Sequence, residues 1–269
     1  MLVKIFLALS SVSPPIKKLL WKQWYQFLAS HYQTKDWSFM NYGYASLDDH
    51  SDTVKLNEAD EPDRYAIQLY HHVVSAVDLT NLDVLEIGSG RGGGASYVAR
   101  YLKPKTLTGM DFSDRAIEFC KHVHAVDGLS FIKGDAESLA FHAGSFDAVI
   151  NIESSHCYGS MEAFLGNAKR VLRQNGYFIY ADFRNQNDVA LLHSLMEQSG
   201  MKILKRENIT ANVLRSLDLD DRRKVLLIRA LFRNWLLKPF LEFAGVKGSK
   251  IYSGFQSGTM IYLHYVLQK

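Results

Sequence analysis

Residues 84–102 read VLEIGSGRGGGASYVARYL, and five of the seven positions from Gly88 to Gly94 are glycine. The run leaves an apolar strand-like segment and opens into a helical one, so it is a strand–turn–helix junction whose turn has almost no side chains. Bare backbone of that kind lets the polar group of a ligand approach free N–H groups. Gly88, Gly90 and Gly93 satisfy G-x-G-x-x-G, as in dinucleotide-binding folds, whereas the lack of a closing Gly-Lys-Ser/Thr excludes a Walker A loop. Glu86 separates the remaining ligands. It makes the stretch E-x-G-x-G-x-G through Gly92, and a carboxylate there repels a pyrophosphate and welcomes a cation.

Outward from the glycines, short apolar segments alternate with longer helical ones, as repeated βα units require. The pattern predicts strands over 82–87, 106–111, 129–133, 146–152, 176–182 and 201–208, with helices near 92–102, 113–124, 159–172 and 187–199. A last strand, GTMIYLHYVLQ from Gly258, interleaves Tyr262, His264 and Gln268 with apolar residues and suits an edge or antiparallel position. The expected fold is α/β and Rossmann-like: a seven-stranded, mostly parallel sheet with an antiparallel last strand.

The 269 residues, 47% of them apolar, suffice for one large core, or for a core with a smaller cap. A net charge of +3 with dispersed Lys and Arg argues against a nucleic-acid partner. Cys120 and Cys157 sit in no metal-ligand spacing, so we expect two free thiols, a reducing cytoplasmic setting and no metal. The apolar run Ile5 to Leu9 is too short for a secretory signal, and no segment has the length of a membrane span. Ile16, Leu19, Leu20, Trp24, Phe27 and Leu28 recur at helical spacing beside Lys17, Lys18 and Lys22, which predicts an amphipathic helix.

Residues 210–250 carry DLDDRRKVLLIRALFRNWLLKPFLEFAG where a short connection would do, and this predicts a helical lid. Leu226, Leu227, Ala230, Leu231, Trp235 and Leu236 share its broad apolar face, with Arg222, Arg223, Lys224, Arg229 and Arg233 forming a solvated basic face. Residues 1–30 and 220–245 are the candidate peripheral membrane contacts. The chain thus divides into a helical, cofactor-covering segment (1–80), a core (81–209), a lid (210–257) and a final strand (258–269). Nothing in it speaks to oligomeric state.

Asp111 ends the second strand in GMDFS, placed to accept from both ribose hydroxyls of an adenosine, with Phe112 beside the base. Asp135 and Ala136 in KGDAESLAF follow the third strand, where an aspartate meets an adenine amino group, and AKRVLRQNGYFIYADF supplies helix, turn and fifth strand. This ordered set resembles the class I S-adenosylmethionine-dependent methyltransferases. The turn, Leu172-Arg-Gln-Asn-Gly176, departs from the family pattern in lacking its Pro and one Gly. The resemblance implies S-adenosyl-L-methionine as cofactor: Glu86, Gly88, Gly90 and Gly92 hold the methionine end, Asp111 and Phe112 the adenosine, and Asn151 lies against the cofactor.

Methyl transfer to a hydroxyl needs alignment and a base. The loop after the fourth strand, ESSHCY, offers His156, whose ordinary pKa lies close to working pH, and Asp182 at the end of the fifth strand is placed to orient it. WSFMNYGYA, NIESSHCYG and GFQSG further resemble the phthiotriol dimycocerosate methyltransferases and related fatty-acid and polyketide O-methyltransferases. That likeness implies O-methylation of a hydroxyl or carboxyl on a small hydrophobic, lipid- or polyketide-like acceptor, with a Tyr42–Tyr44 segment closing over the cofactor. Glu153 and Tyr158 are candidate substrate residues, with more weight if carbon is the nucleophile. Carbon methylation, or a repurposed fold that steers a cyclisation or serves as a scaffold, are the alternatives.

Overall fold

β1 (Asp83–Ile87) is the strand that feeds the glycine turn, and it lies near the middle of a seven-stranded sheet ordered β3-β2-β1-β4-β5-β7-β6. The computed structural model describes residues 37–48, 54–232 and 236–269. β2 (Thr106–Asp111), β3 (Leu129–Lys133), β4 (Phe146–Ile152) and β5 (Leu172–Asn185) run parallel to β1. β1 and β4 at the centre are buried along nearly their whole length, as strands covered on both faces are, whereas Thr106 of β2 and Ser130 and Lys133 of β3 are exposed. The strand order reverses between β1 and β4, where an open α/β sheet forms its ligand crevice.

Helices cover both faces. α1 (Arg64–Val74), α2 (Gly93–Tyr97, continued by a π turn over Val98–Leu102) and α3 (Asp114–Val123) pack on one side. Ile67, Val73, Ala95 and Ile117 there join Val84, Leu107 and Ile150 in one core. α4 (Met161–Val171) and α5 (Gln186–Gln198) cover the other side, where Phe164, Leu165, Leu192 and Met196 meet Leu85, Val149 and Phe178. Ser113 and Ser160 cap α3 and α4, each accepting from the backbone N–H three residues on.

β6 (Lys202–Asn208) and β7 (Met260–Gln268) complete the sheet. β7 is antiparallel, as expected, but it is not an edge: it lies between β5 and β6, which buries Tyr262 and His264 completely. β6 is the edge, exposed at every second residue. The missing glycine of the turn before β5 also has a physical account. Asn175 adopts φ +64°, a left-handed conformation that Asn tolerates better than most residues, so it takes the place of a glycine.

The insertion consists of α6 (Thr210–Leu231), α7 (Leu237–Phe243) and α8 (Lys250–Ser257). Ile228, Phe232, Leu236 and Phe240 close a third core around Trp37, whose ring meets Phe232 and Phe240 edge-on at 5.5 and 5.9 Å. The apolar face therefore differs from the expected one: Leu226 is 58% exposed and Ala230 is exposed. The basic face also differs, because Arg223 is engaged by Asp220 and Asp63. The expected helix over 16–32 lies outside the described residues, as does Trp235. Among the described residues, no helix is long and apolar enough to cross a membrane.

One packing constraint is testable at once. A Cβ on Gly94 would stand 1.8 Å from the Tyr70 ring, whereas one on Gly166 of α4 would meet nothing within 4 Å. Gly94→Ala should lose about 1–3 kcal/mol in urea unfolding, while Gly166→Ala should be neutral or more stable by up to about 1 kcal/mol. Equal effects would contradict the packing account.

Candidate active site

The glycine turn works by letting three neighbours in. Gly88, Gly90 and Gly92 have φ of +78°, +54° and +77°, which only glycine adopts freely. A Cβ on Gly88 would lie 2.3 Å from Ser154 Oγ, and one on Gly93 2.5 Å from the Ser38 carbonyl. The Gly93 N–H donates to that carbonyl at 3.2 Å, so the segment from Trp37 to Tyr42 lies directly on the turn. Arg91 fastens the start of that segment. Its Nε donates to the Trp37 carbonyl and its guanidinium lies over the Trp37 and Phe119 rings at 4.8 and 4.1 Å.

Glu86 lies beneath the turn, 1% exposed. Its Oε1 accepts from the Tyr70 hydroxyl at 2.7 Å, and its Oε2 has no partner. Burial pushes its pKa up to about 7, against the Tyr70 hydrogen bond that pulls it down. A buried carboxylate oxygen without a donor is costly, and a ligand's ammonium group relieves that cost. The residues present therefore fit the methionine end of S-adenosylmethionine.

The residues expected to meet an adenosine lie at the ends of β2 and β3. Asp111 Oδ2 accepts from the Gly90 N–H at 2.9 Å and Oδ1 from the Ser113 N–H at 2.8 Å. Each oxygen has a second lone pair, which leaves acceptor capacity for ribose hydroxyls. Burial raises Asp111 to about 6 although these backbone donors favour its anion. Phe112, Asp135 and Ala136 line the same cavity. Asp135 also holds its own turn, accepting from the Glu137 N–H at 3.0 Å.

Across the cavity, Asp182 organises the opposite wall from the end of β5. Fully buried, it takes His156 Nδ1 at 2.9 Å and the His156 N–H at 2.9 Å. Ser155 Oγ donates to it at 2.6 Å and Arg184 Nη1 stands 3.2 Å away. The His156 ring lies 4.5 Å from that of Phe183, and both line the cavity with Tyr42 and Phe243. Burial disfavours the His156 imidazolium, but the Cys157 sulfur and the Asp182 carboxylate outweigh it and raise its pKa above the ordinary value. Asp182 is correspondingly lowered: burial opposes its ionisation, but the positive charges of His156 and Arg184 prevail.

Glu153 adopts φ +46°, a strained conformation for a non-glycine residue. Its Oε1 accepts from the Tyr42 N–H and from the Tyr262 hydroxyl, both at 2.9 Å. The Tyr42 carbonyl in turn accepts from Ser216 and Lys224 of α6, so the lid, the Tyr42 segment and the β4 loop are tied together. Burial raises Glu153 to about 7.

The structure thus brings Tyr42, Gly88, Gly90, Asp111, Phe112, Asp135, Ala136, Glu153, His156 and Tyr158 to one cavity. Glu86, Gly92, Asn151 and Asp182 stand behind its wall. Asn151 is fully buried, and its Nδ2 donates to the Ile87 carbonyl, Ser154 Oγ and Tyr158 Oη, so it braces the wall and does not face the cavity. Tyr44 also points elsewhere, stacking on His72 at 4.1 Å. The reading of the sequence missed Tyr70, Arg91, Ser155 and Arg184. Tyr70 and Arg184 lie outside the recognised motifs, whereas Arg91 and Ser155 sit inside the glycine stretch and the ESSHCY loop at positions whose side chains those motifs leave unspecified.

A methyltransferase domain model matches residues 85–180. The chain is 36% identical over 252 residues to a phthiotriol/phenolphthiotriol dimycocerosates methyltransferase of Mycobacterium tuberculosis, covering 94% of this chain and 93% of that protein. It is 39% identical over 218 residues to a fatty-acid O-methyltransferase of Mycolicibacterium smegmatis, covering 80% and 79%. Among solved structures, the [4+2]-cyclase SpnF superposes with a TM-score of 0.69 at 16% identity, over 92% of this chain and 94% of that one, and so shares the fold.

The His156–Asp182 pair has a pH signature. The lowered Asp182 contributes stability above the ordinary carboxylate pKa of about 4, and the raised His156 contributes it below about 6.5. The pair should therefore stabilise most between those values and lose its contribution as pH rises from about 6.5 toward the raised His156 pKa. Urea unfolding as a function of pH should show that alkaline decline in the wild type and a flatter curve in His156→Gln. Identical slopes would contradict the pairing.

Proposed function

The chain belongs to the S-adenosylmethionine-dependent methyltransferases, among the relatives of the phthiotriol dimycocerosates and fatty-acid methyltransferases, and we propose that it methylates an oxygen of a hydrophobic, lipid-like acceptor. Its cofactor is S-adenosylmethionine, which when bound supplies a methyl group on a cationic sulfur. The observation that carries the oxygen assignment is the pairing of His156, which lines the cavity, with the buried Asp182, in an aromatic cavity that also contains the glycine turn.

In this reading Glu86 and the turn bind the methionine end, and Asp111 binds the ribose. Phe183, Tyr42 and Phe243 give the acceptor an apolar wall and exclude water. His156 takes the acceptor's hydroxyl proton as its oxygen attacks, and Asp182 holds the ring and stabilises the imidazolium that forms. Any positive charge brought beside His156 lowers its raised pKa and favours the neutral ring that a base requires. The lipid reading also assigns peripheral membrane contact to residues 220–245, where Leu226 is 58% exposed between exposed Arg222 and Arg229.

The raised pKa of His156 also favours a second reading, in which the acceptor is a carboxylate. A carboxylate is already ionised and needs no base, so a protonated His156 would hold it by charge. The two readings differ in sign. With a hydroxyl acceptor turnover rises with pH as His156 deprotonates, whereas with a carboxylate acceptor binding weakens over the same range.

Incubation with S-adenosylmethionine and long-chain alcohols or acids, read by product mass spectrometry, tests the assignment. An ether or ester product is expected, and a product methylated on carbon would overturn it. His156→Ala should lower turnover by roughly 100-fold or more with a hydroxyl acceptor, while cofactor affinity stays near wild type. Unchanged turnover would reduce His156 to a wall residue.

A further inference from the structure

A second polar cluster lies on the sheet face that carries α1, away from the cavity. His264 on β7 and Glu207 on β6 are direct partners across the antiparallel ladder, and His72 comes down onto them from α1. His72 Nε2 stands 3.1 Å and His264 Nδ1 3.3 Å from the same atom, Glu207 Oε2. All three ligand atoms lie within 4.8 Å of one another, and none of the three residues lines the cofactor cavity.

As a hydrogen-bond network this cluster is poorly matched. Lys205 Nζ also stands 2.9 Å from Glu207 Oε2, so three donor groups crowd one oxygen that has two lone pairs. His264, fully buried, is left with Nε2 unpartnered. A metal ion relieves the crowding at Glu207 Oε2, because the ligating imidazole nitrogens then present lone pairs to the ion and no longer protons to the carboxylate.

The distances suit such an ion. Metal–ligand lengths of roughly 2.0–2.2 Å in a tetrahedral zinc site place neighbouring ligand atoms about 3.3–3.6 Å apart. Two of the three separations are already at or just below that range, and the third closes from at most 4.8 Å. Two imidazoles with one carboxylate suit zinc, whereas calcium and magnesium take oxygen ligands. The His72 and Glu207 side chains are 22% and 35% exposed, which leaves an entry path and room for a water as fourth ligand. Tyr44, stacked on His72 at 4.1 Å and 13°, fixes the plane of the ligating ring. Lys205 is the competing cation, and with 38% exposure its side chain is free to swing into solvent.

We propose that His72, Glu207 and His264 form a zinc site that staples α1 to the β6–β7 edge of the sheet. The ion would act at a distance from the chemistry, by holding the helix that also carries Tyr70 to the strand pair beneath it.

Tag-free full-length protein, stripped with chelator and dialysed, should take up one equivalent of Zn²⁺ in calorimetric titration. It should melt at higher temperature with the metal and show visible absorption bands with Co²⁺. His72→Gln, a partly exposed position, should remain folded by circular dichroism and still bind S-adenosylmethionine. Its Zn²⁺ affinity should fall by more than the roughly 10–100-fold that even outer-shell changes cost. Lys205→Met should bind Zn²⁺ more tightly than the wild type. The absence of saturable binding in the wild type would overturn the proposal, and so would an unchanged affinity in His72→Gln or in Lys205→Met.

Discussion

A carboxylate buried without a full set of partners is the constraint around which the rest of the site is arranged. Glu86 sits at the carboxyl end of β1, next to the point where the strand order reverses, with one oxygen on Tyr70 and the other on nothing. Such a group is held only where the surrounding structure over-determines it, and α1 does so by lowering the Tyr70 ring into the space above Gly94. Gly93 then admits the Ser38 carbonyl, and Gly88 admits Ser154. The glycines are therefore five separate accommodations. Gly88, Gly93 and Gly94 admit close neighbours, and Gly88, Gly90 and Gly92 supply the positive φ of the turn.

The opposite wall solves a different electrostatic problem. Asp182 is as buried as Glu86, but it is surrounded by donors and by the cations of His156 and Arg184, so it stays ionised where Glu86 is pushed toward neutrality. The cavity thus has an under-satisfied carboxylate behind one wall and a fully paired one behind the opposite wall. The first suits a cationic partner, and the second positions a titrating ring. Glu153 joins these halves to the lid by holding Tyr42, whose carbonyl is in turn held by α6.

The sheet and the glycine-turn wall of the cavity were legible because their information is local. Strand periodicity, Glu86 before the glycines and Asp111 at the end of β2 all lie within a few residues of the feature they define. What was not legible depends on elements distant in the chain. The interior position of β7 follows from β6 pairing outside it, and nothing within Met260–Gln268 announces that. The buried side of α6 is set by Trp37, so Ile228 and Phe232 are covered and Leu226 is not. No metal site was expected, because His72, Glu207 and His264 come from three elements and share no spacing. Asn151 misled for a simpler reason: its place at the head of the loop is correct, but its amide turns toward Ile87 and the Tyr158 hydroxyl.

Everything in the site depends on Glu86 as the proposed anchor for a cationic cofactor. Calorimetric titration of S-adenosylmethionine into wild type and Glu86→Gln, at pH values on both sides of 7, is the direct measurement. The wild type should bind more tightly as the carboxylate ionises, and Glu86→Gln should bind more weakly and without that dependence. Equal affinities and equal pH dependence in the two proteins would contradict it.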